Sequence, residues 1–214
     1  MARRALSGAG KRLSAGSARS CAHHLPRSCA HLTRGDKRRG NDMTTVEERL
    51  AALEGKVKLL EAREAIRQLI TSYGPLVDTA NDEAKADLVA DTLWTEDGFY
   101  EVDGYGRHIG RAAIAASFHG FHFDLVRDGC AHVMGLPYIR VEGDRATALA
   151  YSCVFRAEGE RFFVWRVAAN EWNLICVDGK WQVETRTNCL LNGAQKTLDL
   201  FGSIHGLIAK SDRL

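Results

Sequence analysis

The sequence predicts an α+β fold, with helices packed on one face of a curved antiparallel sheet. Three observations predict it. From Thr44 to Asp78 apolar residues recur at three- and four-residue steps, the period of a helix face. From Cys130 to Leu191 the chain turns into four long runs rich in β-branched and aromatic residues. Those runs are punctuated by Glu142-Gly143-Asp144, Glu158-Gly159-Glu160 and Asp178-Gly179-Lys180, each short enough to close an antiparallel hairpin. Helices first and hairpins after is the order of an α+β domain.

The first helix opens at Thr44/Thr45 with Glu47/Glu48, a capping-box start. Val46, Leu50, Leu53, Val57 and Leu60 follow a 4-3-4-3 rhythm, either a short coiled-coil seam or a helix lying on its own domain. The helix continues through Ile66, Leu69, Ile70, Tyr73 and Val77, and Gly74-Pro75 is expected to bend it or end it early. A second helix is expected from Asp82 to Leu93, capped by Asn81 or Asp82, with Trp94 at its end. Phe99–Asp103 reads as a strand, 104–106 as a turn, Arg107–Ile109 as the return, and 111–121 as a third helix. Cys130–Val141, Arg145–Ala157, Arg161–Val177 and Trp181–Leu191 are the expected long strands. The domain is therefore expected over 63–195, with a helical extension at 43–62 and a C-terminal segment at 196–214.

Length and a 45% hydrophobic content suit one domain with a real core. Residues 1–40 carry ten Lys/Arg against the single acid Asp36, a net +9 that leaves −7 for the rest of a chain whose formal total is +2. An acidic globular part excludes a nucleic-acid surface there, because phosphate binding needs clustered positive charge. No membrane span is visible. Residues 1–42 are expected to be a disordered basic tail, or to precede a natural start at Met43. Cys130, Cys153, Cys176 and Cys189 are scattered singly among apolar neighbours and read as small buried hydrophobes in a reducing, cytoplasmic setting.

Two residues carry the candidate chemistry. Asp78 ends the first helix and His132 opens a strand, 54 positions later. Asp78 lies five residues from Tyr73, about 140° round an ideal helix, so it can border a cavity while its neighbours fill the core. A carboxylate at a helix C-terminus meets the negative end of the helix dipole and needs a donor beside it. An imidazole is such a donor, and its other ring nitrogen is left basic toward a substrate. The competing reading is that Asp78 caps the following turn and His132 is an ordinary strand-edge histidine.

Five fragments in order carry a resemblance over residues 60–195. They are Ala65-Ile66-Arg67-Gln68-Leu69-Ile70 leading to Tyr73 and Asp78; Gly110-Arg111-Ala112-Ala113-Ile114; His132; Val141-Glu142-Gly143-Asp144-Arg145-Ala146; and Val177-Asp178-Gly179-Lys180-Trp181 ahead of Arg186. In this the chain resembles the SnoaL-like branch of the nuclear transport factor 2-like superfamily. The resemblance implies a cone-shaped α+β barrel with a pocket at its wide mouth, and a homodimer or homotrimer. Scytalone dehydratase, bile-acid dehydratase and related members use a helix-end aspartate and a strand-start histidine as a dyad, and two add a tyrosine on the same helix. By position these are Asp78, His132 and Tyr73.

The resemblance and the strand alternation together suggest the pocket wall. Cys153/Phe155, Phe163/Trp165, Trp172/Leu174 and Arg186/Asn188 fall at period two. Trp94, Tyr100, Phe155, Trp165, Trp172, Arg186 and Asn188 are the expected substrate-binding residues, with Arg186 able to meet a substrate oxygen. His108, His119 and His122 lack carboxylates at ligand spacing, so no metal is expected, and no cofactor. The expectation is a cofactor-independent lyase or isomerase of dehydratase type acting on a hydrophobic cyclic oxygenated small molecule, steroid- or polyketide-like. The alternatives are a non-catalytic ligand-binding or assembly module, the β subunit of a ring-hydroxylating dioxygenase, and, within the same chemistry, a polyketide cyclase.

Overall fold

The computed structural model describes residues 45–211. The expected basic tail, its cysteines and the Met43 start lie outside the described residues. Helix α1 (Val46–Asp78) begins with a complete capping box: the Glu48 amide donates to Thr45 Oγ1 at 3.1 Å and the Thr45 amide to Glu48 Oε2 at 2.7 Å. Ile66, Ile70 and Val77 are fully buried, each contributing about 1.5–3 kcal/mol by leaving water.

The early end expected at Gly74-Pro75 does not occur, and α1 runs through it. Pro75 and Thr71 both face solvent, so the carbonyl that loses its amide partner can be hydrated. Gly74 is buried, at a point where a Cβ would run into the carbonyl oxygen of His132. The glycine lets helix and strand backbones touch, which is a packing role.

Asp82 caps α2 (Glu83–Leu93), accepting from the Lys85 amide at 2.9 Å. Strand β1 (Trp94–Val102) starts five residues before the expected Phe99 and turns back into β2 (Gly106–Ile109). The expected third helix ends early, as α3 (Arg111–Ala116), and after a turn in which Gly120 adopts φ +61° a helix that was not expected follows, α4 (Phe121–Asp128). The expected strand from Cys130 to Val141 also divides, into β3 (Cys130–Met134) and β4 (Tyr138–Glu142), because Pro137 has no amide to continue the ladder.

Both pieces pair antiparallel with β5 (Arg145–Glu158), which is followed by β6 (Arg161–Val177) and β7 (Lys180–Leu190). The sheet is open, in the order β2-β1-β7-β6-β5-β3, with β4 also on β5 and a single parallel pairing, β1 with β7. Trp165 is an extra residue between the pairs Val154–Arg166 and Phe155–Val164, and Glu184 is extra opposite Asn173/Leu174. Such bulges bend a sheet, and α1 lies against β3, β4 and β7 within the curve. Two further helices, α5 (Gln195–Gly202) and α6 (Ile204–Ser211), follow, and Phe201 of α5 packs edge-on against Tyr151 on the outer side of β5 at 4.7 Å. No helix among the described residues is long and apolar enough to cross a membrane.

Candidate active site

The Gly74 contact brings the end of α1 against the start of β3, and Asp78 and His132 meet there. Asp78 holds His132 at two points: Oδ1 lies 2.6 Å from Nδ1, and Oδ2 accepts from the His132 backbone amide at 2.8 Å. A carboxylate so placed accepts from Nδ1–H and fixes both the ring plane and the tautomer. Nε2 has no protein partner among the described residues, and His132 lines a cavity of about 280 Å³. Both side chains are mostly buried, at 15% and 22% exposure, so the pair is sheltered from the screening that weakens surface ion pairs.

Cys130 completes the corner, its thiol 3.6 Å from Asp78 Oδ1. Burial first, and the neighbouring Asp78 charge second, push its pKa up to about 12, so it stays a thiol and donates. The donor atoms of Asp78, Cys130 and His132 lie within 4.8 Å of one another. The Cys130 thiol and His132 Nδ1–H both donate to Oδ1 and the His132 amide donates to Oδ2, so the three residues are joined through the Asp78 carboxylate.

Tyr73 faces the same cavity, its hydroxyl 3.1 Å from that of Tyr100. Burial is the main cause that raises the Tyr100 pKa, with Arg186 opposing it, so Tyr100 stays protonated and one of the two hydroxyls has a proton to offer. Arg186, 2% exposed, lies under both rings: its Cζ is 3.9 Å from the Tyr73 ring centre, 4.8 Å from Tyr100 and 4.0 Å from Trp172. Nε and Nη2 donate to Asn170 Oδ1 at 3.2 and 2.8 Å, whereas Nη1 is buried with no partner among the described residues. Among the described residues Arg186 has no carboxylate partner, so a buried cation and a free donor line the cavity together.

Of the expected pocket residues, Tyr100, Trp165, Arg186 and Asn188 line the cavity. Trp94, Trp172 and Phe155 do not, which corrects the expected wall. Trp94 and Trp172 are fully buried behind it, edge-on to Tyr73 at 6.2 and 5.7 Å, and Trp172 supports Arg186. Phe155 lies on the other parity of β5: the buried series is Ala146, Ala148, Ala150, Ser152 and Val154. Phe163, paired with Trp165 in the expected alternation, is 40% exposed near the turn of the β5–β6 hairpin and does not line the cavity.

Several residues were not anticipated. Asn170, fully buried, accepts from Arg186 and from Asn188 Nδ2 (2.9 Å) and donates to Ser152 Oγ (2.8 Å), tying β5, β6 and β7 together under the guanidinium. A polar residue at an inward position between apolar ones was its only signal. Arg166 lines the cavity too, donating to the Asp103 carbonyl at 2.6 Å and Asn188 Oδ1 at 3.1 Å. His108, His119 and His122 also line it. His122 lies 5.5 Å from the His132 ring, and burial, reinforced by His132, lowers its pKa to about 4, so it faces the dyad as a neutral imidazole.

The sequence pattern of the SnoaL-like domain matches residues 58–187, and the chain belongs to that family. A solved NTF2-like protein with a cystatin-like fold from Novosphingobium aromaticivorans is 40% identical, covers 74% of this chain and 97% of its own, and superposes with a TM-score of 0.66. A protein of unknown function from Mycobacterium tuberculosis (22% identity, 76% and 94% covered, TM-score 0.53) and an NTF2-like superfamily protein from Salmonella enterica (14%, 64% and 96%, 0.50) share the fold. The architecture is thus the NTF2-like cone. None of the curated proteins compared matches the chain.

Proposed function

We propose that the protein is a cofactor-independent lyase or isomerase of the dehydratase type, acting on a hydrophobic cyclic oxygenated small molecule. The observation that carries this reading is the Asp78–His132 pair, 2.6 Å apart at the wall of a cavity. His132 Nε2 is the general base that takes a proton from carbon. Asp78 stabilises the imidazolium that forms, and Cys130 and the backbone amide hold Asp78 in turn. The electrons released move toward a substrate carbonyl, whose oxygen gains charge as the C–H bond breaks. Arg186 Nη1 and the free hydroxyl proton of the Tyr73–Tyr100 pair are the donors for that oxygen. The proton then returns to another carbon in an isomerisation, or leaves with a hydroxyl as water in a dehydration.

The phenols, Trp165, Phe118 and Phe121 give the cavity apolar walls, in keeping with a ring-shaped ligand. The test is elimination and isomerisation of a panel of polycyclic hydroxyketones by the wild type, His132→Ala and Asp78→Asn. Turnover by the wild type that drops about 10²-fold or more in both variants is expected, the usual contribution of a positioned base. Equal turnover in either variant, with its fold intact by circular dichroism, removes the mechanism.

A further inference from the structure

Val46, Leu50, Leu53, Val57 and Leu60 are each more than half exposed, and no described part of the chain covers them. Five large aliphatic side chains along one helix face form a patch with no occupant. Their spacing is that of a helix pair. On this heptad Leu50 and Val57 take position a, and Val46, Leu53 and Leu60 take position d. The flanking e positions are Glu47, Glu54 and Glu61, and the flanking g positions are Arg49, Lys56 and Arg63. Every e position is acidic and every g position basic.

That segregation selects both a partner and an orientation. In a parallel pair each g residue lies beside the e residue of the next heptad across the seam. Arg49 then meets Glu54 of the partner subunit and Lys56 meets Glu61 of the partner subunit, each twice by symmetry. In an antiparallel pair e faces e and g faces g, which sets glutamate against glutamate and arginine against lysine. Val57 at a with Leu60 at d is the pairing that favours two strands, whereas Leu50 at a and Val46 at d add no such preference. We propose that residues 46–60 form a parallel, two-fold coiled coil with a second copy of this chain.

The rest of the molecule permits it. At 100° per residue the seam points about 150° away from the face carrying Ile66, Ile70, Tyr73 and Val77, so the second helix approaches from the side opposite the domain. The seam spans only about 22 Å, and isolated helices of that length are marginal in water. Here α1 continues unbroken into its anchored half. The helix is therefore nucleated before any partner arrives.

The test uses the full chain carrying Val46→Cys or Leu60→Cys, with Leu88→Cys on the exposed side of α2 as the control. Each is oxidised with glutathione, and homotypic disulfides between introduced thiols are mapped by peptide mass. A parallel seam predicts that Val46→Cys and Leu60→Cys each link to themselves about tenfold faster than Leu88→Cys, because pairing raises the local thiol concentration. Linkage only in a mixture of the two would mean an antiparallel pair and overturn the proposal. Rates equal to the control would show that no second copy sits on the seam. As an independent arm, Glu54→Lys with Glu61→Lys should abolish self-linkage of the Val46→Cys chain. Mixing with a Val46→Cys chain carrying Arg49→Glu and Lys56→Glu should restore it, and no change in either step also overturns the proposal.

Discussion

His132 is held by one carboxylate at two atoms, its own backbone amide and its Nδ1. The double grip means that Asp78→Asn removes more than charge. An amide can accept from only one of the two, and its NH2 facing Nδ1 would favour the tautomer with the proton on Nε2, which cannot act as a base. The variant should therefore keep its fold and lose turnover even at high pH, as a pH–rate profile would reveal. His122 makes a separate prediction. The unfolded chain takes up its proton near pH 6.5, the folded one only near 4, so in that window the unfolded state binds more protons and stability falls as pH drops. The loss is on the order of 3 kcal/mol. Urea unfolding at pH 7 and pH 4 should show it in the wild type, and His122→Phe should remove that part of the pH dependence.

At the scale of elements, the site exists because α1 and β3 touch. Gly74 permits the contact, and Gly74→Ala must push the helix off the His132 carbonyl. Overpacking of this kind costs about 1–3 kcal/mol. The expected outcome is a lowered melting temperature together with a lowered kcat, since the shift moves Asp78 relative to His132. Unchanged kcat would mean that the dyad does not depend on this contact.

The same dipeptide shows what the sequence could convey. Gly-Pro reads as a helix breaker, and only the exposure of Thr71 and Pro75 with the burial of Gly74 shows why the helix survives. The long hairpins were legible because Gly143, Gly159 and Gly179 mark their turns, each at positive φ. Strand parity on β5 was not, because its outer face also carries aromatics: Tyr151 packs on Phe201 of a helix the sequence did not announce. The Asp78–His132 juxtaposition was legible through the family resemblance, since the residues alone left a turn-capping Asp78 and a strand-edge His132 open. The Ser152–Asn170–Arg186–Asn188 network was not, since it depends on a register across three strands.

At the scale of the whole molecule, an open curved sheet gathers α1 and α4 over a cavity whose wall holds the buried Arg186 guanidinium, with no carboxylate partner among the described residues. A ligand oxygen that accepts from Arg186 Nη1 relieves an unpartnered buried donor. Arg186→Gln should accordingly weaken binding of an oxygenated ligand by about 10–100-fold, the worth of a charge-assisted hydrogen bond. The change should appear in KM, with kcat falling as well if the same oxygen gains charge in the transition state. The exposed apolar residues in the first half of α1 point away from the face that packs on the sheet.

Proton abstraction from carbon by the Asp78-held His132 can be tested without the natural substrate. β-Tetralone, a small bicyclic ketone with acidic α-protons, is incubated with the protein in deuterium oxide and its α-proton signals are followed by NMR. Exchange well above the buffer rate that is lost in both His132→Ala and Asp78→Asn is the predicted result. Exchange at the buffer rate in the wild type, although β-tetralone displaces a dye from the cavity, would contradict it.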